Sequence, residues 1–394
     1  MTRPVGRQLR FIDLFSGCGG MSAGFLQCGD RFVPIGAVDL QVAKPGRGKS
    51  SGSSTACNPT YKRNIGIDPK AADLRILSPR DYRNELCLSP GELDVLISCA
   101  PCTGFSQKNA RNHVDDDPRN DLVERTGDFV DELRPEFLVM ENVKELLLGN
   151  QGHHFRALRS RLVTELGYQV WAEVHDLTAF GLPQRRIRSM VIARREAPIV
   201  GPCPRSGAIR TVRDTIAHLP ALEAGEMDAS DPMHVSPRMS HAVLARTRAM
   251  PLDGGSWADI MNDPRRTEEE RHQLLIPSMF RARPGSFPDV YGRMWWDRPA
   301  PTITRESAHV GNGRFTHPEQ HRLLTVREMA LLQGFPADYT FEGPLNAKYN
   351  QIGDAVPPLV SQAIARHILS IHDGLFAVEA ELVRRQPQLA LAVA

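Results

Sequence analysis

Short apolar runs alternate with longer amphipathic stretches from about residue 10 to residue 196 of this chain. Four runs are rich in branched and aromatic side chains and end at turn-forming or polar residues, which predicts buried strands. These strands are predicted over residues 10–15, 32–40, 94–98 and 136–140. Helical patterns occur between and after them, including residues 21–27, 121–133 and 155–166. Strands that alternate with helices predict an α/β fold with βαβ units and a mainly parallel sheet.

The regular pattern is lost after residue 196, where proline, glycine and arginine become frequent. It returns with a predicted helix over residues 326–332 and a closing helix over residues 358–369. We therefore predict two domains, because such a change of pattern is typical of a domain boundary. The predicted organisation is a large domain over 1–196 with a flexible basic insertion at about 43–55, a smaller domain over 197–300, a return to the large domain over 301–375, and a tail over 376–394.

The composition restricts the class of protein without identifying a function. Hydrophobic residues make up 41% of the chain and charged residues 24%, and no apolar run is long enough to cross a bilayer. The first residues lack the apolar core of a signal peptide, so we predict a cytoplasmic protein with no membrane partner. The seven scattered cysteines favour free thiols over a disulfide framework. A net charge of only +2 means that any nucleic-acid site must depend on local charge.

Three segments with candidate chemistry follow predicted strands. They are the glycine turn Asp-Leu-Phe-Ser-Gly-Cys-Gly-Gly over 13–20, the turn Pro-Cys-Thr-Gly-Phe-Ser over 101–106, and Glu-Asn-Val over 141–143. In parallel sheets, sites gather at the carboxyl ends of the strands. Glycines allow the backbone to approach a ligand, and the helix that follows favours an anionic group at its N-terminus. A reactive cysteine and a carboxylic acid would lie beside this turn.

Together these segments resemble those of the C5-cytosine DNA methyltransferase family, and the resemblance extends from about residue 10 to about residue 370. It implies a Rossmann-like S-adenosylmethionine methyltransferase sheet with a smaller, irregular target-recognition domain over 197–300. The implied activity is methyl transfer from S-adenosylmethionine to C5 of a cytosine flipped out of double-stranded DNA. The implied setting is a bacterial restriction–modification system, with a cognate restriction endonuclease as a partner, or else an orphan methylase without one. The expected enzyme is a monomer.

The resemblance assigns the chemistry to four residues. Cytosine C5 is not nucleophilic enough to take a methyl group directly, so the Cys102 thiolate would add to C6 and activate C5. Glu141 would protonate N3, because a carboxyl group in a water-poor site can carry a proton near neutral pH. Arg186 and Arg188 match the pair that holds cytosine O2 and the nearby backbone. Alternate residues of an extended segment point the same way, so these two are predicted to share a face.

The same resemblance implies a cofactor site and two further contacts to DNA. Phe15 would pack against adenine, Asp39 would accept from the ribose hydroxyls, and Asp73 would accept from the adenine amino group. The other predicted cofactor residues are Gly17, Gly19, Gly20, Pro101, Leu122, Asp354 and Val356. Thr103 and Ser106 are predicted to contact the nucleic acid.

This chain departs from the family pattern at several of these positions. The family usually has glutamate at Asp39, glutamine at Thr103 and asparagine at Asp354. The usual Gly-Pro-Pro before the nucleophile is here Cys-Ala-Pro, which creates a Cys99-x-x-Cys102 pair with a potential redox role.

Four alternatives stay open. The Cys-x-x-Cys pair also resembles a thioredoxin motif, and residues 43–50 resemble a P-loop, although helix-breaking residues follow. A tRNA cytosine-5 methyltransferase is a neighbouring branch of the family, but its Cys-Phe-Thr element is not evident. A catalytically silent DNA-binding homologue or subunit is the fourth. The sequence pattern reveals no metal-ligand cluster.

Overall fold

The computed structural model describes residues 6–42, 54–101, 116–117, 119–204, 207–281 and 289–376. The chain divides into two compact units. The first, here called the sheet unit, comprises Met1–Phe180, Ile187–Arg205 and Val356–Ala394. The second unit comprises Gly181–Arg186 and Ser206–Ala355.

The sheet unit is built on one mixed sheet. Its strands within the described ranges are β1 (Leu9–Leu14), β2 (Phe32–Asp39), β3 (Lys70–Ala71), β4 (Val95–Ser98), β5 (Phe137–Val143), β6 (Tyr168–Asp176) and β7 (Ile187–Arg195). The strand order is β3-β2-β1-β4-β5-β7-β6. The pairs from β3 to β5 are parallel, whereas β7 is antiparallel to both of its neighbours. The predicted α/β fold with a mainly parallel sheet is therefore confirmed.

Continuous burial explains why the central strands were recognisable from the sequence. Every residue of β4 and β5 is buried, and so is all of β1 except Arg10. A strand that is covered on both faces is apolar along its whole length instead of alternating. The predicted strand over 136–140 continues to Val143, because pairing with β7 extends to the Val143–Arg188 position. Glu141 consequently lies inside β5, close to its carboxyl end.

Helices surround the sheet and form most of the second unit. Those of the sheet unit are α1 (Gly20–Leu26), α2 (Cys57–Ile65), α3 (Pro79–Glu85), α4 (Asp121–Leu133), α5 (Glu145–Leu148), α6 (His153–Thr164) and α14 (Pro358–His372). Those of the second unit are α7 (Val212–Ile216), α8 (His241–Ala249), α9 (Trp257–Asn262), α10 (Glu268–Leu274), α11 (Pro277–Phe280), α12 (Val326–Leu332) and α13 (Leu345–Asp354). Short 3₁₀ turns occur at Gly29–Arg31, Leu177–Phe180 and Val310–Asn312. Among the described helices, none combines the length and apolar character needed to cross a membrane.

The second unit includes more of the chain than the irregular segment that the sequence pattern marks. Residues 301–355 group with it, and the chain rejoins the sheet unit only at Val356. Backbone hydrogen bonds explain this grouping. The Ala300 N–H donates to the Pro183 carbonyl, and the Met294 N–H donates to the Thr316 carbonyl. The target-recognition role of residues 197–300 stays a prediction.

A buried ion pair fixes the start of α12 in the second unit. Arg322 donates to both carboxylate oxygens of Glu328 at 2.7 Å, and both side chains are almost completely buried. Glu328 also accepts the Thr325 N–H in a capping box. Burial opposes ionisation of Glu328, but the Arg322 guanidinium outweighs it, so the pKa of Glu328 is lowered. The pair therefore anchors the first turn of α12 in its charged form.

The closing helix α14 packs closely against α1 in the sheet unit. A Cβ atom on Gly24 would lie 1.9 Å from Ser361 Oγ and 2.3 Å from the Pro358 carbonyl oxygen. Only glycine permits this approach, because backbone atoms of α14 cannot move away without shifting the helix. α14 thus covers the helix that follows the glycine turn.

Replacing Gly24 with alanine is expected to lower the free energy of unfolding by about 1–3 kcal/mol, the usual cost of overpacking. Chemical denaturation measures this change. Gly127→Ala in α4 is the matched control, because its Cβ would meet only the ends of the Arg161 and Leu158 side chains at 3.0 Å or more. Equal stability of the two variants would show that α14 does not press on Gly24.

Candidate active site

The glycine turn between β1 and α1 has an unusual backbone. Phe15, Gly17 and Gly19 have positive φ angles of 60°, 52° and 90°. The turn is tied to β2 by the Ser16 N–H, which donates to the Val38 carbonyl at 3.0 Å. Phe15 is half-buried and packs against the hydrophobic core of the sheet unit. The turn is therefore a fixed structure at the carboxyl end of β1, where the sequence placed the cofactor.

Asp39 holds this turn from the end of β2. Its Oδ2 accepts the Gly17 N–H at 3.0 Å, and its Oδ1 accepts the Gln41 N–H at 2.7 Å. Burial raises the pKa of Asp39, and the two backbone N–H groups partly offset this effect. Each carboxylate oxygen can accept more than one hydrogen bond, so both still have capacity for a ribose hydroxyl. The predicted ribose contact stays a prediction, and Asp39 also has a structural task that the sequence did not reveal.

Ser16 is a site residue that the sequence analysis did not single out. Its side chain is 6% exposed, and within the described ranges its Oγ has no hydrogen-bond partner. Buried hydroxyls are normally paired, so an unpaired one inside a glycine turn fits a polar group of a bound ligand. The flanking glycines were the signal that could have identified it.

A second carboxylate lies beneath the turn. Asp13 at the end of β1 is 1% exposed and accepts a hydrogen bond from the Ser22 hydroxyl, which also contacts the Tyr61 hydroxyl at 2.8 Å. Burial raises the pKa of Asp13 to about 7, although the Ser22 hydroxyl opposes this rise. Asp13 therefore supports α1 and α2 from below the predicted cofactor site.

Two other predicted cofactor residues have protein partners. Asp73 accepts hydrogen bonds from Arg75, which are the main reason that its pKa is lowered. Leu122, at the start of α4, is 6% exposed and belongs to the same hydrophobic core as the residues beneath Phe15. If Asp73 accepts a hydrogen bond from adenine, its carboxylate must do so while it also accepts from Arg75.

Glu141 is the predicted acid, and its carboxyl group is buried near the end of β5. The residue is 7% exposed, and Oε1 lies 3.3 Å from the Nε atom of Arg188 on β7. Within the part of the chain that the structure describes, Oε1 accepts no hydrogen bond. The Arg188 guanidinium is itself oriented by a hydrogen bond to the Ile187 carbonyl at 2.8 Å. A buried carboxyl oxygen whose hydrogen-bonding capacity is not used in this way is suited to a polar ligand atom.

Asn142 connects Glu141 to the segment of the predicted nucleophile. Its Nδ2 donates to the Ala100 carbonyl at 2.9 Å, and its Oδ1 accepts the Val143 N–H at 2.9 Å. The Nδ2 group therefore holds the segment that follows β4 against β5, and the Oδ1 group is used by the neighbouring residue of β5. The sequence analysis assigned no role to Asn142, although its place within Glu-Asn-Val was a signal.

The neighbourhood of Cys99 does not favour a reactive thiol. Burial raises the pKa of Cys99 well above its usual value, and the charges of Glu141 and Asp13 raise it further. Pro101 is half-buried next in the chain. Cys102, Thr103 and Ser106 lie outside the described residues, so their roles stay predictions, as does a Cys99–Cys102 redox pair.

The remaining predicted residues are divided between the two units. Arg186 is 3% exposed in the second unit and donates to the Ile303 carbonyl at 3.0 Å and to those of Gly353 and Ala355 at 3.5 and 3.4 Å. Its guanidinium thus stabilises the backbone there, which the sequence did not reveal. Asp354 is exposed, 3.8 Å from Arg305, whereas Val356 is buried in the sheet unit. The face shared by Arg186 and Arg188 stays a prediction.

Known proteins are similar to this chain over most of its length. A family model described as C-5 cytosine-specific DNA methylase matches residues 9–370. The type II methylase M.HgiDII of Herpetosiphon aurantiacus is 33% identical over 372 residues, which cover 92% of this chain and 96% of that protein. The type II methyltransferase M1.HphI of Haemophilus parahaemolyticus is 34% identical over 370 residues, covering 92% and 87%.

A solved structure shows the same fold at lower sequence identity. The methyltransferase EhMeth of Entamoeba histolytica has a TM-score of 0.60 and 15% identity, over 94% of this chain and 100% of that one. The family match spans most of the chain, and relatives above 30% identity match almost end to end. The chain therefore belongs to the C-5 cytosine-specific DNA methylase family.

Proposed function

We propose that this protein transfers a methyl group from S-adenosylmethionine to C5 of cytosine in double-stranded DNA. The observation that carries the proposal is the buried Glu141 carboxyl group, whose Oε1 forms an ion pair with the Arg188 Nε atom at 3.3 Å but accepts no hydrogen bond of regular geometry among the described residues. Asn142 holds Ala100, two residues before Cys102, against the strand that bears Glu141. An acid and a cysteine-bearing segment are thus linked by one side chain.

In the proposed reaction each group of the chain has one task. The Cys102 thiolate adds to cytosine C6 while Glu141 donates a proton to N3, so the electron pair of the C5–C6 bond becomes available at C5. Arg188 contacts the O2 side of the base and keeps the Glu141 carboxyl group oriented. After transfer, a base removes the proton from C5 and the thiolate leaves C6.

The residues around the glycine turn fit the proposed cofactor. Ser16 offers an unpaired buried hydroxyl, Asp39 has free acceptor capacity, and the half-buried Phe15 provides an aromatic face. When bound, S-adenosylmethionine supplies an electrophilic methyl group. The other proposed cofactor residues are Gly17, Gly19, Gly20, Asp73, Pro101, Leu122, Asp354 and Val356.

Asp39→Asn is expected to weaken binding of S-adenosylmethionine by about tenfold, close to the value of one hydrogen bond. In aspartate the two carboxylate oxygens accept from the Gly17 and Gln41 N–H groups, whereas asparagine has only one side-chain oxygen. One of these two hydrogen bonds to the backbone is therefore lost. Isothermal titration with S-adenosylmethionine measures the change. Asp68→Asn is the control, because Asp68 is exposed and pairs only with Lys62 among its described contacts. If the Asp39→Asn variant binds S-adenosylmethionine with unchanged affinity, the ribose does not contact Asp39.

The biological setting is proposed from the relatives. M.HgiDII and M1.HphI are named as type II enzymes, which supports a restriction–modification role with a cognate restriction endonuclease. The second unit contains most of residues 197–300, the proposed target-recognition segment. The monomeric state and the cytoplasmic location stay predictions.

Sequencing of 5-methylcytosine in DNA from a methylation-free host tests the proposed function. The host expresses either this chain or its Cys102→Ala variant. Methylation at one short motif, absent with the variant, is the expected result. An unmethylated genome with folded wild-type protein would contradict the proposal, and the same assay on tRNA would then test the RNA alternative.

A further inference from the structure

A histidine pair and an aspartate converge outside the proposed active site. His153 and His154 begin α6, and Asp116 precedes α4. Asp116 Oδ2 lies 2.9 Å from Nε2 of His154 and 3.3 Å from Nε2 of His153. One ligand atom from each of the three residues lies within 4.8 Å of the other two. Both imidazoles therefore direct the same ring nitrogen toward one carboxylate oxygen.

Carboxylates lie on both sides of the His154 ring. Its side chain is 4% exposed, and carboxylate oxygens flank both ring nitrogens, with Glu124 Oε1 2.7 Å from Nδ1. A neutral imidazole has one N–H and one lone pair, so one carboxylate would face a lone pair. Two lone pairs at this distance repel unless a proton or a metal ion lies between them. A metal ion bound to Nε2 and to the Asp116 carboxylate would remove this repulsion.

The distances suit a metal ion as well as a hydrogen bond. Zinc binds histidine nitrogen and carboxylate oxygen at about 2.0–2.2 Å. Two atoms that bind the same zinc ion at that distance lie about 2.9–3.3 Å from each other when the ligand–zinc–ligand angle is between a right angle and the tetrahedral angle. The two separations from Asp116 Oδ2, 2.9 and 3.3 Å, fall in this range. The cluster thus needs little rearrangement to become a coordination shell.

Glu124 supplies the outer contact that metal-binding histidines usually have. A ligating histidine commonly donates its second N–H to a carboxylate, which fixes the ring and its tautomer. With Nε2 on a metal, the Nδ1–H of His154 would donate to Glu124, which lies on α4. Asp121 Oδ1, 3.8 Å from the same nitrogen, adds negative charge nearby.

We propose that Asp116, His153 and His154 bind one Zn²⁺ ion, with Glu124 as the residue that positions His154. Two imidazoles and one carboxylate suit zinc, whereas Mg²⁺ and Ca²⁺ prefer oxygen ligands throughout. Water takes the fourth position. The ion links the start of α6 to Asp116, and the contact between His154 and Glu124 links α6 to α4. Zinc binding at this site is independent of the proposed reaction.

Zinc titration of metal-stripped, tag-free full-length protein tests the site, with binding followed by competition with a chromophoric chelator. The variants are His153→Ala, Asp116→Asn and Glu124→Gln. His272→Ala is the matched control, because His272 has a similar exposure, 60% against 50%, and also lies near a carboxylate, Glu268 at 3.8 Å. Mg²⁺ is titrated in parallel, and circular dichroism checks that each variant is folded.

The expected result is one Zn²⁺ per chain for the wild type and for His272→Ala, with a higher melting temperature in zinc. His153→Ala and Asp116→Asn should lose this binding, and Glu124→Gln should bind roughly tenfold or more weakly. Mg²⁺ should have no effect. Absence of stoichiometric zinc binding to the folded wild type would overturn the proposal. Equal binding by His153→Ala and the wild type would overturn it as well.

Discussion

Replacing Cys102 with alanine is expected to lower the rate of cytosine methylation by on the order of 10⁵-fold, because removal of a covalent nucleophile leaves only binding and orientation. Without a bond between the cysteine sulfur and C6, C5 does not become nucleophilic enough to accept the methyl group. The Asn142–Ala100 hydrogen bond uses a backbone carbonyl and does not involve the Cys102 side chain. The variant should therefore fold and keep its affinity for DNA and cofactor.

Methyl transfer from radiolabelled S-adenosylmethionine to DNA measures the change in single-turnover reactions. Cys203→Ala is the control, because Cys203 is an exposed cysteine of the same chain. A Cys102→Ala enzyme with more than a few per cent of the wild-type rate would show that another residue is the nucleophile. Cys99 would be the first candidate, although its raised pKa argues against it.

Replacing Glu141 with glutamine is expected to lower the turnover rate by about 10²–10⁴-fold, the usual contribution of a general acid. Glutamine keeps the shape and can donate a hydrogen bond to N3, but it cannot transfer a proton there. The variant loses the ion pair with Arg188, but the hydrogen bonds from Arg188 to the Ile187 carbonyl and from Asn142 to the Ala100 carbonyl do not involve the side chain of residue 141, so folding should be preserved. The loss should appear in kcat more than in KM for DNA, because the proton moves only during the reaction.

Glu173→Gln provides the control for this variant, because Glu173 lies on β6 in the same sheet and is partly exposed. Steady-state kinetics over a range of pH compare the two. A Glu141→Gln enzyme that keeps its kcat but loses DNA affinity would assign Glu141 to binding. That outcome would leave the identity of the acid open to other residues.

The central strands and the glycine turn were predictable because their signals are local. Continuous apolar runs mark strands that are buried on both faces, and β1, β4 and β5 are such strands. The backbone at Gly17 and Gly19 has positive φ angles, which glycine adopts most readily. The turn is therefore recognisable from a short run of consecutive residues. The sequence pattern also placed the motifs at the ends of predicted strands. The family match then confirmed the class of protein.

The contacts that make the site were not predictable in the same way. The sequence placed Glu141 at the end of its strand, whereas pairing with β7 carries that strand to Val143 and brings Arg188 beside the acid. Asp39 and Asn142 form hydrogen bonds with backbone groups of segments that are distant in the sequence. The residues that flank Asp39 and Asn142 in the sequence do not indicate these contacts. Such contacts depend on which strands become neighbours, and strand order is not encoded by local periodicity.

The sequence by itself determined the α/β class, the glycine turn and the type of chemistry, because these depend on residues that are adjacent or regularly spaced. Only the tertiary structure decided that residues 301–355 pack with the second unit and that Arg186 holds backbone carbonyls there. It alone brought His154 between Asp116 and Glu124. The physical reason is that burial and charge pairing act across space, between segments whose distance along the chain carries no information about their contact.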